Sequence, residues 1–551
     1  MKWNILNTAN TKKEILQNIL KYKNISKDEL LNFINFNIQE HNPYLLTNID
    51  KAIKTICNSI HNKQNITIIG DYDVDGLCAT TVLYLTLNKF TNVNYIIPDR
   101  FKDGYGISKN LIDKAKTLGT NLIITVDNGI KAHKQVEYCK SLNMDIIITD
   151  HHAFEDNSLP TEITINPQID NNYPFKDICG CTVAFKLSMA LLNTLLLDTT
   201  YCKTIISNDM GFIFELMEFV CLATIADVMP LIDENRLYVK QALDNMNKGI
   251  LNIGLSKLVE LLNINKIDVN SIGYYIAPCI NAAGRLESPN IVMNLFLNDD
   301  FIECEKIANH LIQLNNKRKQ LQKEILDDLT IDENDDFIIT HINKNLPGLM
   351  GIIAGNIVEK YKKPCFCLCG TNESIHGSGR SIGNYPINKI IENNDFLNGG
   401  GHKSACGVIL NKDDIGKLKQ ISNNNFKEYL DNNELEIETI DIINKINFNL
   451  ISDNLINTLN KLQPFGYGNE EPLFCTENVY IESNKIVGIN KNVIQLKLKQ
   501  NTTSIKAIGF MNIVNKINQL QKNIIDIIYT INFNEFPKNV FTIQLNIKDI
   551  R

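Results

Sequence analysis

The chain has 551 residues, 44% hydrophobic and 21% charged, an ordinary globular mixture long enough for three or four domains. Its 55 basic against 62 acidic residues leave a net charge of −7, which weighs against indiscriminate nucleic-acid binding but leaves room for a locally basic groove. No run of eighteen apolar residues occurs, and the start Met1-Lys2-Trp3-Asn4-Ile5-Leu6-Asn7 lacks a long apolar core, so a soluble cytoplasmic protein without membrane contact is expected.

Short helical patterns open the chain, with Ser26 placed to cap a helix whose first turn is acidic. Four β-branched runs follow: Asn65–Gly70, Val93–Pro98, Leu122–Val126 and Met144–Thr149. Each is short and almost continuously apolar, as strands buried on both faces of a parallel sheet should be, and helical stretches separate them. From Ile302 to Leu329 a long polar helix is expected, without Gly or Pro inside, as a connector. A second α/β region runs from about Asp336 to Leu430 and carries Gly377-Ser378-Gly379-Arg380 and Gly399-Gly400-Gly401-His402. Alternating strands such as Val493–Lys499 and Val540–Ile547 then predict a small C-terminal β-barrel. The 14 cysteines form no paired zinc spacing; Cys365, Cys367 and Cys369 would share one face of a strand and read better as small core residues than as ligands.

The acidic residues carry the chemistry. Asp71-Tyr72-Asp73-Val74-Asp75-Gly76, Asp127-Asn128-Gly129 and Asp150-His151-His152 each follow an expected strand directly. Ligands of open parallel sheets gather beyond the carboxyl ends of the strands, so three strands deliver carboxylates and imidazoles to one rim. Asp227, embedded in apolar Ala223–Pro230, is a fourth candidate. Any one Asp could merely cap the next helix, but that reading is poor for the whole set. Crowded carboxylates repel one another, and bound cations would remove that cost. Mn²⁺ suits the mixed ligands, Mg²⁺ prefers oxygen, and Zn²⁺ is compatible. Two such ions can activate water and stabilise the oxyanions of phosphoryl transfer.

These motifs resemble the DHH phosphoesterase superfamily. Asp99–Gly106, Ala226–Leu231, Asn281–Leu286, Gly377–Ser381, Gly400-Gly401-His402 and Pro464–Phe474 further resemble its RecJ exonuclease family, in order, from about residue 65 to the C-terminus. The resemblance implies an α/β protein: an N-terminal helical region (1–60), a parallel-sheet DHH domain (61–300), a connecting helix (301–330), a second α/β domain of DHHA1 type (331–432) and an OB-fold barrel (440–551). It implies a single-strand-specific 5′→3′ exodeoxyribonuclease of DNA repair and recombination that releases mononucleotides.

Carried over by motif, Asp73 and Asp127 would hold one Mn²⁺ or Mg²⁺, and Asp75, Asp127, His151 and Asp227 the second. Asp71 shares the loop and would ligate directly or through water, while His152 would face the scissile phosphate. Arg100, Arg285, Ser378, Arg380 and His402 would bind substrate, with Ser378 and Arg380 at the terminal 5′-phosphate. Implied partners are single-stranded DNA and, in a repair setting, a single-strand-binding protein and a helicase; a monomer is expected. The chain departs from the family pattern at Cys279, at Asn345-Leu346 and at Cys179-Gly180-Cys181-Thr182. Those departures bear on grip of the DNA rather than on hydrolysis. Alternatives are a DHH phosphodiesterase of short oligoribonucleotides or cyclic dinucleotides, disfavoured by the terminal β region, and an inactive DNA-binding scaffold, disfavoured by the complete ligand set.

Overall fold

The computed structural model describes residues 2–38, 40–100, 102–154, 158–197, 209–371, 373–436, 439–488, 491–520, 522–534 and 542–551. Phe101, Val540 and Phe541, each part of a segment singled out above, lie outside them. Two compact units form, Met1–Gln39 with Ile437–Arg551, and Glu40–Glu436.

In the larger unit, Ile66–Ile69, Val93–Ile96, Leu122–Val126, Asp145–Thr149 and Thr164–Ile165 build an all-parallel sheet. Ile66, Ile68, Ile69, Leu122, Ile123, Ile124 and Val126 are essentially solvent-free, because helices cover both faces. The first strand lies between the second and the third, so strand order reverses beside the Ile66–Ile69 and Leu122–Val126 ends. That reversal opens a crevice at those carboxyl ends, and Asp71 and Asp127 follow these two strands. Asn128, fully buried, closes the crevice floor: its Nδ2 donates to Ile69 O and Val126 O, and its Oδ1 accepts from Ile107 N.

The connector is a 28-residue helix, Phe301–Asp328. The second α/β part has a five-stranded sheet in the spatial order Asn398–His402, Ala405–Asn411, Ser374–Arg380, Cys365–Cys369, Ile338–Ile342. Cys365, Cys367 and Cys369 are fully buried and pack with Leu349, Met350 and Ile353, as core residues.

The smaller unit closes a barrel from Phe474–Val487, Val493–Gln500, Thr503–Phe510, Ile524–Asn534 and Thr542–Ile550. The first 39 residues, read from the sequence as part of a helical region 1–60, share this unit rather than standing apart. Lys2–Ile5 pairs in parallel with Thr439–Ile442, and Ile15 and Ile19 enter the barrel's core. Ser26 caps its helix as the sequence suggests, in a reciprocal pair with Glu29.

Candidate active site

Three clusters of ligating atoms gather at the crevice: Asp71, Asp73 and Asp127; Asp127, His151 and His152; and Asp75, His151 and Asp227. Within each, the atoms lie within 4.8 Å of one another. Asp127 belongs to two clusters and His151 to two. His151 Nε2 stands 3.2 Å from Asp127 Oδ1, 3.6 Å from Asp75 Oδ2 and 3.7 Å from Asp227 Oδ2.

Asp71 Oδ1 and Asp127 Oδ1 are buried and, among the described residues, accept no hydrogen bond. Leaving an acceptor unsatisfied in a protein interior costs about 1–3 kcal/mol, more for a charge. Burial raises the pKa of both groups well above the ordinary carboxylate range, and neighbouring aspartates raise it further. Burial, then the charges of Asp75 and Asp73, push Asp227 up to about 8. Asp127 is held at φ +61°, a left-handed conformation costly for a non-glycine residue. Orphaned carboxylate oxygens, an imidazole among them and backbone strain at the shared residue all fit divalent cations.

The other carboxylates have additional work. Asp73 caps the helix Val74–Leu87 by accepting from Gly76 N at 3.1 Å. Asp75 accepts from Gly180 N and Cys181 N, each at 2.7 Å, at the start of the helix Gly180–Leu197. Asp150 is 1% exposed and stands in none of the clusters. It accepts from Ile130 N, His151 N, His152 N and, at 2.7 Å, His152 Nδ1, so it positions both histidines. Burial opposes a charge on His152, but this hydrogen bond and the Asp150 charge overcome it and push the pKa up to about 9. Tyr105, quoted above only as part of a motif, places its hydroxyl 3.4 Å from the His152 ring nitrogens and 3.3 Å from Asp127 O.

Gly180 explains why a small residue is needed across the crevice. A Cβ there would lie 2.5 Å from Asp127 Cβ and 2.6 Å from its Oδ1. Gly180→Ala is therefore expected to displace Asp127 and lower any hydrolysis that depends on these clusters by about 10²-fold, the scale of a ~1 Å misplacement. Calorimetric Mn²⁺ titration should show weaker binding, and unchanged affinity and rate would disprove the steric argument.

A second group is cationic. Arg285 Nη1 donates to Gly348 O, in the first turn of the helix Pro347–Tyr361. Ser378 and Arg380 share one face of their strand, and a Cβ on Gly351 of that helix would meet Arg380 Nη2 at 3.2 Å and Ser378 Oγ at 3.4 Å. Arg285 and Arg380 therefore converge on one helix N-terminus, itself electropositive. Their hydrogen bonds go to neutral oxygens, and among the described residues neither forms an ion pair. Burial, then the charges of Arg100 and Arg318, lower the Arg285 pKa to about 10. Burial likewise lowers that of Arg380. Arg100 stacks on the Tyr72 ring at 5.0 Å.

His402 is exposed at the end of Asn398–His402. The glycines before it have a structural cause. Gly399 and Gly401 take φ +145° and +153°, and side chains there would strike Gly407 O and Ala405 O of the next strand. Only Gly400 faces open space. Cys279 is buried and accepts from Asn315 Nδ2 at 3.3 Å, and Cys179 and Cys181 are buried core residues.

Family models match three stretches: the N-terminal domain of the DHH family over residues 65–222, the DHHA1 domain over 334–428 and the RecJ OB domain over 442–549. The single-stranded-DNA-specific exonuclease RecJ of Escherichia coli is 32% identical over 422 residues, 72% of each chain. That of Haemophilus influenzae is 30% identical, over 85% of this chain and 84% of its own. The Bacillus subtilis RecJ is 31% identical over 92% of this chain, which spans 64% of that relative's length. Among solved structures, Thermus thermophilus RecJ in complex with Mn²⁺ superposes with a TM-score of 0.81 at 22% identity, covering 100% of this chain and 79% of its own. An exonuclease RecJ bound to manganese gives 0.60 at 28% identity, over 69% and 94%. No helix among the described residues is long and apolar enough to cross a membrane.

Proposed function

The chain belongs to the RecJ family of DHH phosphoesterases, and from that premise we propose that it is a metal-dependent 5′→3′ exonuclease of single-stranded DNA that releases mononucleotides in DNA repair and recombination. The observation that carries this reading is the pairing, within one unit and among the described residues, of buried carboxylate oxygens lacking hydrogen-bond donors with half-buried arginines lacking acidic partners. One set calls for cations and the other for an anion, and a phosphodiester with a terminal phosphate satisfies both.

Asp71, Asp73, Asp75, Asp127, His151 and Asp227 hold two Mn²⁺ or Mg²⁺ ions in this reading. When bound, the ions supply positive charge that activates the attacking water and stabilises the phosphoryl oxygens. Asp150 keeps His152 oriented through its Nδ1, so that the imidazole faces the scissile phosphate. Arg285, Arg380 and Ser378 bind the 5′-terminal phosphate, with Arg100 and His402 along the same strand. That anchoring fixes which bond meets the metal loops and makes the cut exonucleolytic. Residues 61–300 carry the chemistry, 331–432 grip the substrate and 440–551 bind single strands. Single-strand selectivity comes from a channel between the first two that is too narrow for duplex. A cytoplasmic monomer serving alongside a single-strand-binding protein and a helicase is the corresponding cellular setting.

The protein should remove a 5′ label as mononucleotide from single-stranded DNA with Mn²⁺ or Mg²⁺, and stop with chelator. Comparable rates on duplex, on short RNA or on a cyclic dinucleotide would overturn the substrate assignment. Binding without any metal-dependent hydrolysis would instead identify a scaffold.

A further inference from the structure

Residues Ile272–Ile276, Ile-Gly-Tyr-Tyr-Ile, form a π-helical turn that neither the ligand clusters nor the arginine group of the active site uses. Such turns are rare and concentrate at functional positions. Ile272 and Ile276 are buried at 0% and 1%, whereas Tyr274 and Tyr275 remain 72% and 55% exposed. Two adjacent aromatic rings are thus left out of the core on one short turn.

The turn packs beside one metal loop, and the helix that continues from it reaches another. Gly273 packs on Ile225, whose Cγ2 would lie 3.9 Å from a Cβ at that position. Ile225 stands two residues before Asp227, at the end of the helix Asp209–Ala226. Val228, on the other side of Asp227, is 62% exposed at φ +56°, so the rim there is apolar and open. In the other direction the turn continues directly into the helix Ala277–Leu286, which carries Arg285. Gly284 of that helix lies against Tyr72 O, in the Asp71–Asp75 loop. At ~1.5 Å per residue, Tyr275 is about 15 Å from Arg285 along the helix. That is the length of about four nucleotides stacked at ~3.4 Å.

We propose that Tyr274 and Tyr275 form a stacking platform for nucleobases of single-stranded DNA on the 3′ side of the bond being cut. The proposal rests on the exonuclease reading above, with the 5′-phosphate at Arg285 and Arg380. A strand anchored there passes the metal loops and reaches the rim beside Asp227 a few nucleotides later. Stacking tolerates every base, as an exonuclease acting on any sequence requires, and it grips without positive charge. A chain of net charge −7 has reason to hold part of its substrate in this way.

The test uses the full chain and 5′-phosphorylated single-stranded oligonucleotides, some carrying one abasic site three to six nucleotides from the 5′ end. Tyr274→Ala and Tyr275→Ala should each raise KM about tenfold, within the range of measured base–aromatic contacts. Tyr→Phe at either position should restore it. The slope of affinity against salt should not change, because no phosphate contact is lost. An abasic site at the stacked position should abolish the difference between wild type and the Ala variants. Equal KM for wild type and both Ala variants, or a defect that persists undiminished on every abasic substrate, overturns the platform while leaving the exonuclease assignment standing. A wild type that hydrolyses no single-stranded DNA overturns the assignment and the platform with it.

Discussion

Asp127→Asn should lower hydrolysis of single-stranded DNA by about 10³-fold or more while raising the melting temperature of the metal-free protein. The loss follows from removing a charge shared by two ligand clusters, where about 4 kcal/mol of transition-state stabilisation is at stake. Asn is the informative replacement because it tolerates the left-handed φ of +61° and nearly matches Asp in size. The gain in stability has the opposite origin. Burial and mutual repulsion raise the pKa of Asp71 and Asp127, and of Asp227 to about 8. A carboxyl whose pKa is higher folded than unfolded favours folding while protonated, and that contribution fades as pH rises from ~4 through the folded value. Metal-free wild type should therefore lose stability between about pH 4 and 8. Mn²⁺ should restore it, so the metal-induced rise in Tm should grow from pH 5 to 8. In Asp127→Asn both the pH slope and the metal effect should shrink. A variant that is less stable than wild type in chelator, or that keeps a full metal shift, would show that Asp127 is not the crowded shared ligand.

The strands around this site were legible because their signal is local. Ile66–Ile69, Leu122–Val126 and Asp145–Thr149 are almost continuously apolar runs, and each meets a polar residue where the sheet ends. Their carboxylates could therefore be placed on one rim before any geometry was known. What stayed hidden depends on contacts distant in sequence. Nothing near Asp75 announces that Gly180 N and Cys181 N will donate to it from over a hundred residues away. Asp150 looked equivalent to the other aspartates, yet four donors, including His152 Nδ1, turn it into a positioning residue. Two of the three glycines ending at Gly401 are shaped by the neighbouring strand, which the run of glycines does not itself reveal. Lys2–Ile5 finds its partner in Thr439–Ile442, a pairing no local pattern encodes. Tyr274 and Tyr275 sit in a π turn, which lacks a periodicity of its own to read.

Arg380→Ala should abolish preference for a 5′-phosphate, lowering kcat/KM about 10²-fold on 5′-phosphorylated single strands and much less on 5′-hydroxyl strands. The guanidinium is partly buried, and its bonds go to Ser378 Oγ and Gly379 O, neither of which neutralises it. Burial lowers its pKa, a sign that the charged form is held at a cost in the free protein. A dianionic phosphate offsets that cost, and losing one half of such a charge pair removes about 3 kcal/mol, or roughly 10²-fold. Arg380→Lys should recover only part of the loss, because an ammonium lacks the two-pronged geometry. Arg285 donates to Gly348 O, in the helix turn on which Arg380 also packs, so the double variant Arg285→Ala, Arg380→Ala should lose less than the product of the single losses. Steady-state rates on matched 5′-phosphate and 5′-hydroxyl oligonucleotides measure all of this. Equal losses on the two ends would place Arg380 along the backbone of the strand instead. No loss on either would reduce it to a packing residue over Gly351.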